Sequence, residues 1–374
     1  MSKRKEKEKS ESEPAYIANG SYGCVFKPNL PCRKVATDHN NVSKVFELAS
    51  EADEEMMSND MVHQIDPKNV FTIKTIGSCD IYNDQIIFSQ LAKCTNFTEN
   101  KEKQRKKLRQ IVYEFGGTDL TDIFDTFKER EITFEQIFTD MRPLFIGLTI
   151  MNDSDFSHCD IKSPNVIYNE QTRKMALIDF GVSHNNMYNY SVTDERNHDA
   201  IWHEYPYYPP EFKVFKYLYL NEILSKKLDA RHKKKLLSKQ FYHDEIVATG
   251  LGIQKPESWV RAKECYDKIA NKSIELIEVM DVDDDGKRYD DYKNMIDSIN
   301  IPLEYFNRVE VRNKIDMYSL GVTLFEILMH LSTPAFLRSK KCSKICELIT
   351  KMTCFDPVYR LDPMKALFVY GVAR

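Results

Sequence analysis

The chain has 374 residues, 42% of them apolar, and a formal net charge of −4. That length exceeds one compact unit and supports two lobes with ample core, while the charge argues against a generally nucleic-acid-binding surface and leaves room only for local basic patches. No apolar run approaches the about eighteen residues of a membrane span, and nine cysteines without a CxxC pair indicate neither a disulfide framework nor a zinc module, which favours a reducing, intracellular compartment.

In chain order, residues 1–14 are of mixed charge without an apolar h-region and read as a disordered tail, not a secretory signal. Tyr16 to Phe26 reads as strand, glycine turn, strand, with Gly20 and Gly23 in the turn. Asn41 to Phe46 is a strand that sets one lysine, Lys44, amid apolar neighbours, with Lys34 as the second candidate for the same role. Leu48 to Gln64 is a helix whose acidic start, Glu51 to Glu55, suits the positive end of a helix dipole. Val70 to Leu91 holds two apolar segments readable as strands, and Lys101 to Arg109 is a basic run of the kind usually found on a solvated face. The strand Gln110 to Phe115 then enters Gly116-Gly117-Thr118-Asp119. Further on, Met141, Leu144, Phe145 and Leu148 repeat at helical spacing within Phe134 to Met151, so a buried helix is expected there.

That helix leads into His158-Cys159-Asp160-Ile161-Lys162-Ser163-Pro164-Asn165, and Asp179-Phe180-Gly181 follows. The apolar runs between them, Val166 to Tyr168 and Met175 to Ile178, read as a tight hairpin. These residues supply the inventory for moving a phosphate. Asp160 can accept a proton from an attacking hydroxyl, Lys162 can steady a transferring phosphoryl group, and Asn165 and Asp179 can give oxygen ligands to Mg²⁺. The order resembles the catalytic loop and metal-binding turn of the eukaryotic protein-kinase family, HRDxKxxN followed by DFG, with Cys159 in place of the arginine.

The resemblance implies roles for other positions. Ala18, Gly20 and Gly23 fall where the family has its phosphate-covering glycines, with Ala18 replacing the first, and Val25 falls where a side chain lies against the adenine. Lys44 is expected to grip the α- and β-phosphates and to pair with a helical carboxylate, Glu55 or else Glu54. Tyr113 takes the gatekeeper position, backbone groups of Glu114, Phe115 and Gly116 are expected to bond the adenine edge, and Asp119 to reach a ribose hydroxyl. Pro209-Pro210-Glu211 resembles the A-P-E that closes an activation segment. With Cys159 lacking the arginine's charge, that segment is expected to work without phosphorylation at Ser191 or Thr193. Asp316 to Gly321 resembles the opening of the family's central helix, and Arg360 its late arginine, which would pair with Glu211.

The expected fold is therefore α+β and two-lobed: a β-rich N-lobe over 15–114 and a mostly helical C-lobe over 115–374, with an insertion at about 212–313. Within that insertion a basic run, Arg231 to Lys235, suggests a docking surface or a lineage-specific appendage. Asp281 to Gly286 imitates the start of a calcium loop, but Tyr292 stands where the closing Glu is required, so a solvated acidic turn is expected. Cys342 and Cys346, four apart on a helix, read as thiols and not as metal ligands. The resemblance, nearest to haspin-like kinases and those of large DNA viruses, implies transfer of the ATP γ-phosphate to Ser or Thr of protein substrates, with Mg²⁺, in a cytoplasm, a host cell or a virion. A pseudokinase scaffold and a small-molecule phosphotransferase are the alternatives.

Overall fold

Five short strands rich in β-branched and aromatic residues build the first sheet: β1 (Ala15–Asn19), β2 (Gly23–Lys27), β3 (Asn41–Phe46), β4 (Thr75–Ile81) and β5 (Leu108–Glu114). They pair antiparallel in the order β1-β2-β3-β5-β4. The structure is a computed structural model that describes residues 14–19, 23–32, 35–81, 94, 108–183, 207–247, 285–312 and 314–374. Outside them lie most of the expected tail, Gly20, Lys34, most of the 101–109 run, Ser191, Thr193 and the acidic turn at Asp281. The chain forms two compact units, Met1–Gly117 with Ile178–Gly181, and Thr118–Leu177 with Val182–Arg374.

In the first unit, helix α1 (Ala49–Ile65) lies between β3 and β4 and buries Ala52, Glu55 and Val62, residues that helical rotation brings to one side. Ala52 joins Phe46 and Ile111 in a core on that face, while Cys24, Phe26, Leu30, Val45, Ile81 and Cys94 form a second cluster. Gly23 is fixed by close packing: a Cβ there would stand 2.3 Å from the Val45 carbonyl oxygen. Of the two strands expected over Val70 to Leu91, the described residues hold one, β4.

Disulfides Cys24–Cys94 and Cys32–Cys79 overturn the expectation of no disulfide framework. Sheet register and a loop bring together partners separated by 70 and 47 residues, to Cα separations of 5.9 and 6.4 Å, and such long separations leave no spacing motif to read. In the loop-entropy account each contributes about 4 kcal/mol. They also remove the argument from cysteine usage for a reducing compartment.

The second unit pairs β6 (Thr118–Asp119), β7 (Val166–Asn169) and β8 (Lys174–Leu177) in a small antiparallel sheet and is otherwise mostly helical. Its principal helices are α2 (Leu120–Thr126), α3 (Phe134–Asp140), α4 (Arg142–Asp153), α5 (Pro210–Leu220), α6 (Ala230–Leu236), α7 (Asp285–Ser298), α8 (Ile315–Leu331), α9 (Lys340–Met352) and α10 (Pro363–Ala373). The single helix expected over Phe134 to Met151 is thus two, parted at Met141, with Pro143 in the first turn of the second, where its missing N–H is tolerated. α8 is buried over nearly its whole length, and at Gly321 a Cβ would meet Thr353 and Met352 at 2.8 and 2.9 Å, so glycine lets the chain after α9 pack closely. No helix among the described residues is long and apolar enough to cross a membrane.

The described part of the 212–313 insertion is built into this unit's interior. Phe212, Phe215, Leu218, Leu236, Tyr292 and Met295 share one core with Cys159, Tyr318 and Phe355. Cys342 and Cys346 are free, buried thiols on α9 with their Sγ atoms 3.8 Å apart.

Candidate active site

In the first unit, sheet register places Lys44 between Val25 on β2 and Ile111 on β5, so the three side chains share a face. Lys44, only 8% exposed, sets its Nζ 2.5 Å from Glu55 Oε2 and 3.1 Å from Asp179 Oδ1. Burial alone would lower the Lys44 pKa, but the Asp179 and Glu55 carboxylates outweigh it and raise it. Burial also pushes Glu55 up, with Lys44 pulling the other way. With donors on both Glu55 oxygens, the charged pair is the form that satisfies both groups. Glu54 is exposed.

The second donor is Tyr113, whose hydroxyl donates to Glu55 Oε1 at 2.7 Å and accepts from Asn59 Nδ2 at 2.8 Å. Burial, and then Glu55, push the Tyr113 pKa well above its usual range, which keeps the hydroxyl a donor. The Tyr113→Phe variant leaves a buried carboxylate oxygen without its partner and is expected to lose about 1–3 kcal/mol in urea unfolding. A loss under about 0.5 kcal/mol would mean that the hydroxyl contributes nothing to holding Glu55.

Other expected contacts in this unit are already partly engaged. The Glu114 N–H donates to Lys74 O at 2.9 Å and the Phe115 N–H to Asn40 O at 2.7 Å. These two N–H groups are thus taken among the backbone groups of Glu114, Phe115 and Gly116 expected to bond an adenine edge. The Lys27 ammonium sits 3.1 Å from the centre of the Phe115 ring, and burial lowers its pKa. Ala18 is exposed on β1, in register with Val25.

In the second unit the loop from His158 to Asn165 is held from below by Asp316 at the start of α8. Its carboxylate accepts from His158 N at 2.7 Å and Cys159 N at 2.9 Å; burial raises its pKa and these bonds oppose the rise. Cys159 takes a left-handed φ of 64°, and the Asp160 N–H donates to His158 Nδ1 at 3.2 Å. Asp160 Oδ2 receives Lys162 Nζ at 2.9 Å and Asn165 Nδ2 at 2.7 Å. Asn165 Nδ2 also donates to Asp160 O at 2.9 Å, so the amide nitrogen is committed to Asp160 and the side-chain oxygen is what Asn165 has for a cation. Asp119, expected at a ribose hydroxyl, uses Oδ1 to cap α2 through Thr121 N and Asp122 N at 2.9 and 3.1 Å.

Glu326 was not anticipated from sequence. It lies near the end of α8 and accepts from Ser163 Oγ on one oxygen and from the Tyr207 hydroxyl, at 2.6 Å, on the other. The signal for it is slight: Glu326 is the one carboxylate between Leu320 and Leu331, a stretch of α8 that is otherwise mostly apolar. Among the described residues no three His, Cys, Asp or Glu side chains gather as a metal cage. Mg²⁺ asks less of a protein, one or two oxygen ligands beside those of a phosphate and water; the Asn165 oxygen in the second unit and the Asp179 carboxylate in the first are each groups of that kind.

No family model matches the chain, and no curated protein matches it.

Proposed function

We propose that the chain is a protein kinase of two-lobed fold that transfers the γ-phosphate of ATP to Ser or Thr hydroxyls of proteins. The observation that carries this reading is Lys44, one buried ammonium bonded to both Glu55 and Asp179, residues far apart in sequence. An ammonium positioned this way suits the α- and β-phosphates of a nucleotide. With Asp160 Oδ2 committed to Lys162 and Asn165, Oδ1 is the atom to orient and deprotonate a substrate hydroxyl. Lys162 offers positive charge where the phosphoryl group moves, and its place two residues after Asp160 is the basis for preferring Ser and Thr to Tyr. Asn165 and Asp179 would each offer Mg²⁺ an oxygen ligand, the metal's chemistry being to neutralise phosphate charge.

Incubation with Mg-ATP and either a generic basic protein or a panel of small alcohols tests this. Phosphate is expected on the protein, and its transfer should be lost in Asp179→Asn, which also guards against a contaminating enzyme. Transfer to the alcohols alone would mark a metabolite kinase, and none at all a scaffold; either result overturns the proposal.

A further inference from the structure

Six exposed cations, Lys226, Lys227, Arg231, Lys234, Lys235 and Lys239, crowd into one stretch around α6. Arg231, Lys234 and Lys235 stand at i, i+3 and i+4 and so share a helix face, where each like-charged pair opposes the helix by about 0.2–0.5 kcal/mol; the dipole favours only those in the last turn. Among the described residues no carboxylate pairs with any of the six side chains, whereas the neighbouring Lys233 bonds Asp297 at 2.9 Å. The carboxylate inside the stretch, Asp229, is committed to the His232 backbone N–H and ring at 2.9 and 2.7 Å.

The cations are carried on an anchored backbone. Leu228 and Leu236 are buried, Leu228 N donates to Asn300 O at 2.8 Å, and the Tyr292 and Tyr289 hydroxyls donate to the carbonyls of Leu236 and Leu237 at 2.9 and 2.7 Å. The face is therefore preorganised, and its charge repulsion is held in place by the core beneath it.

We propose that this face binds the phosphate backbone of nucleic acid. The six cations are the charge complement of such a backbone, which cations alone can hold. A protein partner would need apolar or aromatic anchors, and a membrane surface would need side chains to insert. Among the described residues of the second unit, the exposed large apolar side chains, Leu220, Val358, Tyr359, Met364, Phe368 and Val372, all lie outside residues 226–239. The chain's net charge of −4 opposes a polyanion at long range, but at physiological salt that field is screened beyond about 8 Å, so the local face decides. Because phosphates carry no sequence information, binding is indifferent to base sequence. The proposal does not depend on the chain's activity.

The test is fluorescence anisotropy of the full chain with two labelled duplexes of unrelated sequence, a labelled poly-glutamate peptide and vesicles containing phosphatidylserine. Both duplexes are expected to bind alike, with log K falling against log salt at a slope of about −5, which is roughly a few-hundredfold loss between about 50 and about 150 mM salt. Replacing Arg231, Lys234 and Lys235 with Glu should flatten that slope by about 3 and leave the circular dichroism unchanged. The same change in charge at Arg338, Lys340 and Lys344 should leave the slope alone. A wild-type slope in the first variant, an equal loss in the second, or tighter binding of poly-glutamate or vesicles than of duplex overturns the proposal.

Discussion

Replacing Asp160 with Asn is expected to lower kcat by about 10²–10⁴ while leaving the KM for ATP nearly unchanged. The amide oxygen can still accept from Lys162 and Asn165, which in the native loop bond Asp160 Oδ2 at 2.9 and 2.7 Å, so the loop should keep its shape. What it loses is the carboxylate that, on the proposed reading, takes the hydroxyl proton. Steady-state kinetics of the two proteins, with their unfolding curves, separate the outcomes. Unchanged kcat would remove Asp160 from the chemistry, and a fall in kcat matched by a fall in stability would show that it serves only to hold the loop together.

Arg360→Ala should destabilise the second unit by about 3–5 kcal/mol. Arg360 and Glu211 have side chains 0% exposed and meet through Nη1–Oε1 at 2.6 Å and Nη2–Oε2 at 2.9 Å. Arg360 also donates to the carbonyls of Cys354 and Lys314 at 2.9 and 3.1 Å and lies 5.1 Å from the Tyr318 ring centre. Removing the guanidinium strands a buried carboxylate, and against a typical stability of about 5–15 kcal/mol that is a large fraction. The double variant Arg360→Met with Glu211→Leu, which strands no charge, should be clearly more stable than the single one. Urea unfolding of the two measures the difference; a loss below about 1 kcal/mol for Arg360→Ala would show that water reaches the pair and solvates Glu211.

Much of this arrangement could be read from the chain because local patterns imposed it. The strand at Asn41 to Phe46 forms at those bounds, and the helix expected from Leu48 to Gln64 runs over Ala49–Ile65. Distance to Lys44 favours Glu55 with Glu54 close behind, and helical rotation separates them: Glu55 follows the buried Ala52 by three positions and turns to the same side. Arg360 meets Glu211 as the motif implied. What stayed hidden depends on long-range register. No spacing announces that Cys32 will meet Cys79, or that the Tyr113 hydroxyl on β5 will link Asn59 to Glu55 on α1. Asp119 could not be recognised as a helix cap until the start of α2 was known.

The interior shared by Cys159 with Phe212, Phe215, Leu236 and Tyr292 bears on how the chain can be shortened. Excising the helices between Glu211 and Asp316 to obtain a minimal catalytic fragment would lay bare a greasy hollow directly beneath the loop that bears Asp160. A deletion mutant made that way would be expected to clump in the test tube, and its silence in an assay would say nothing about chemistry.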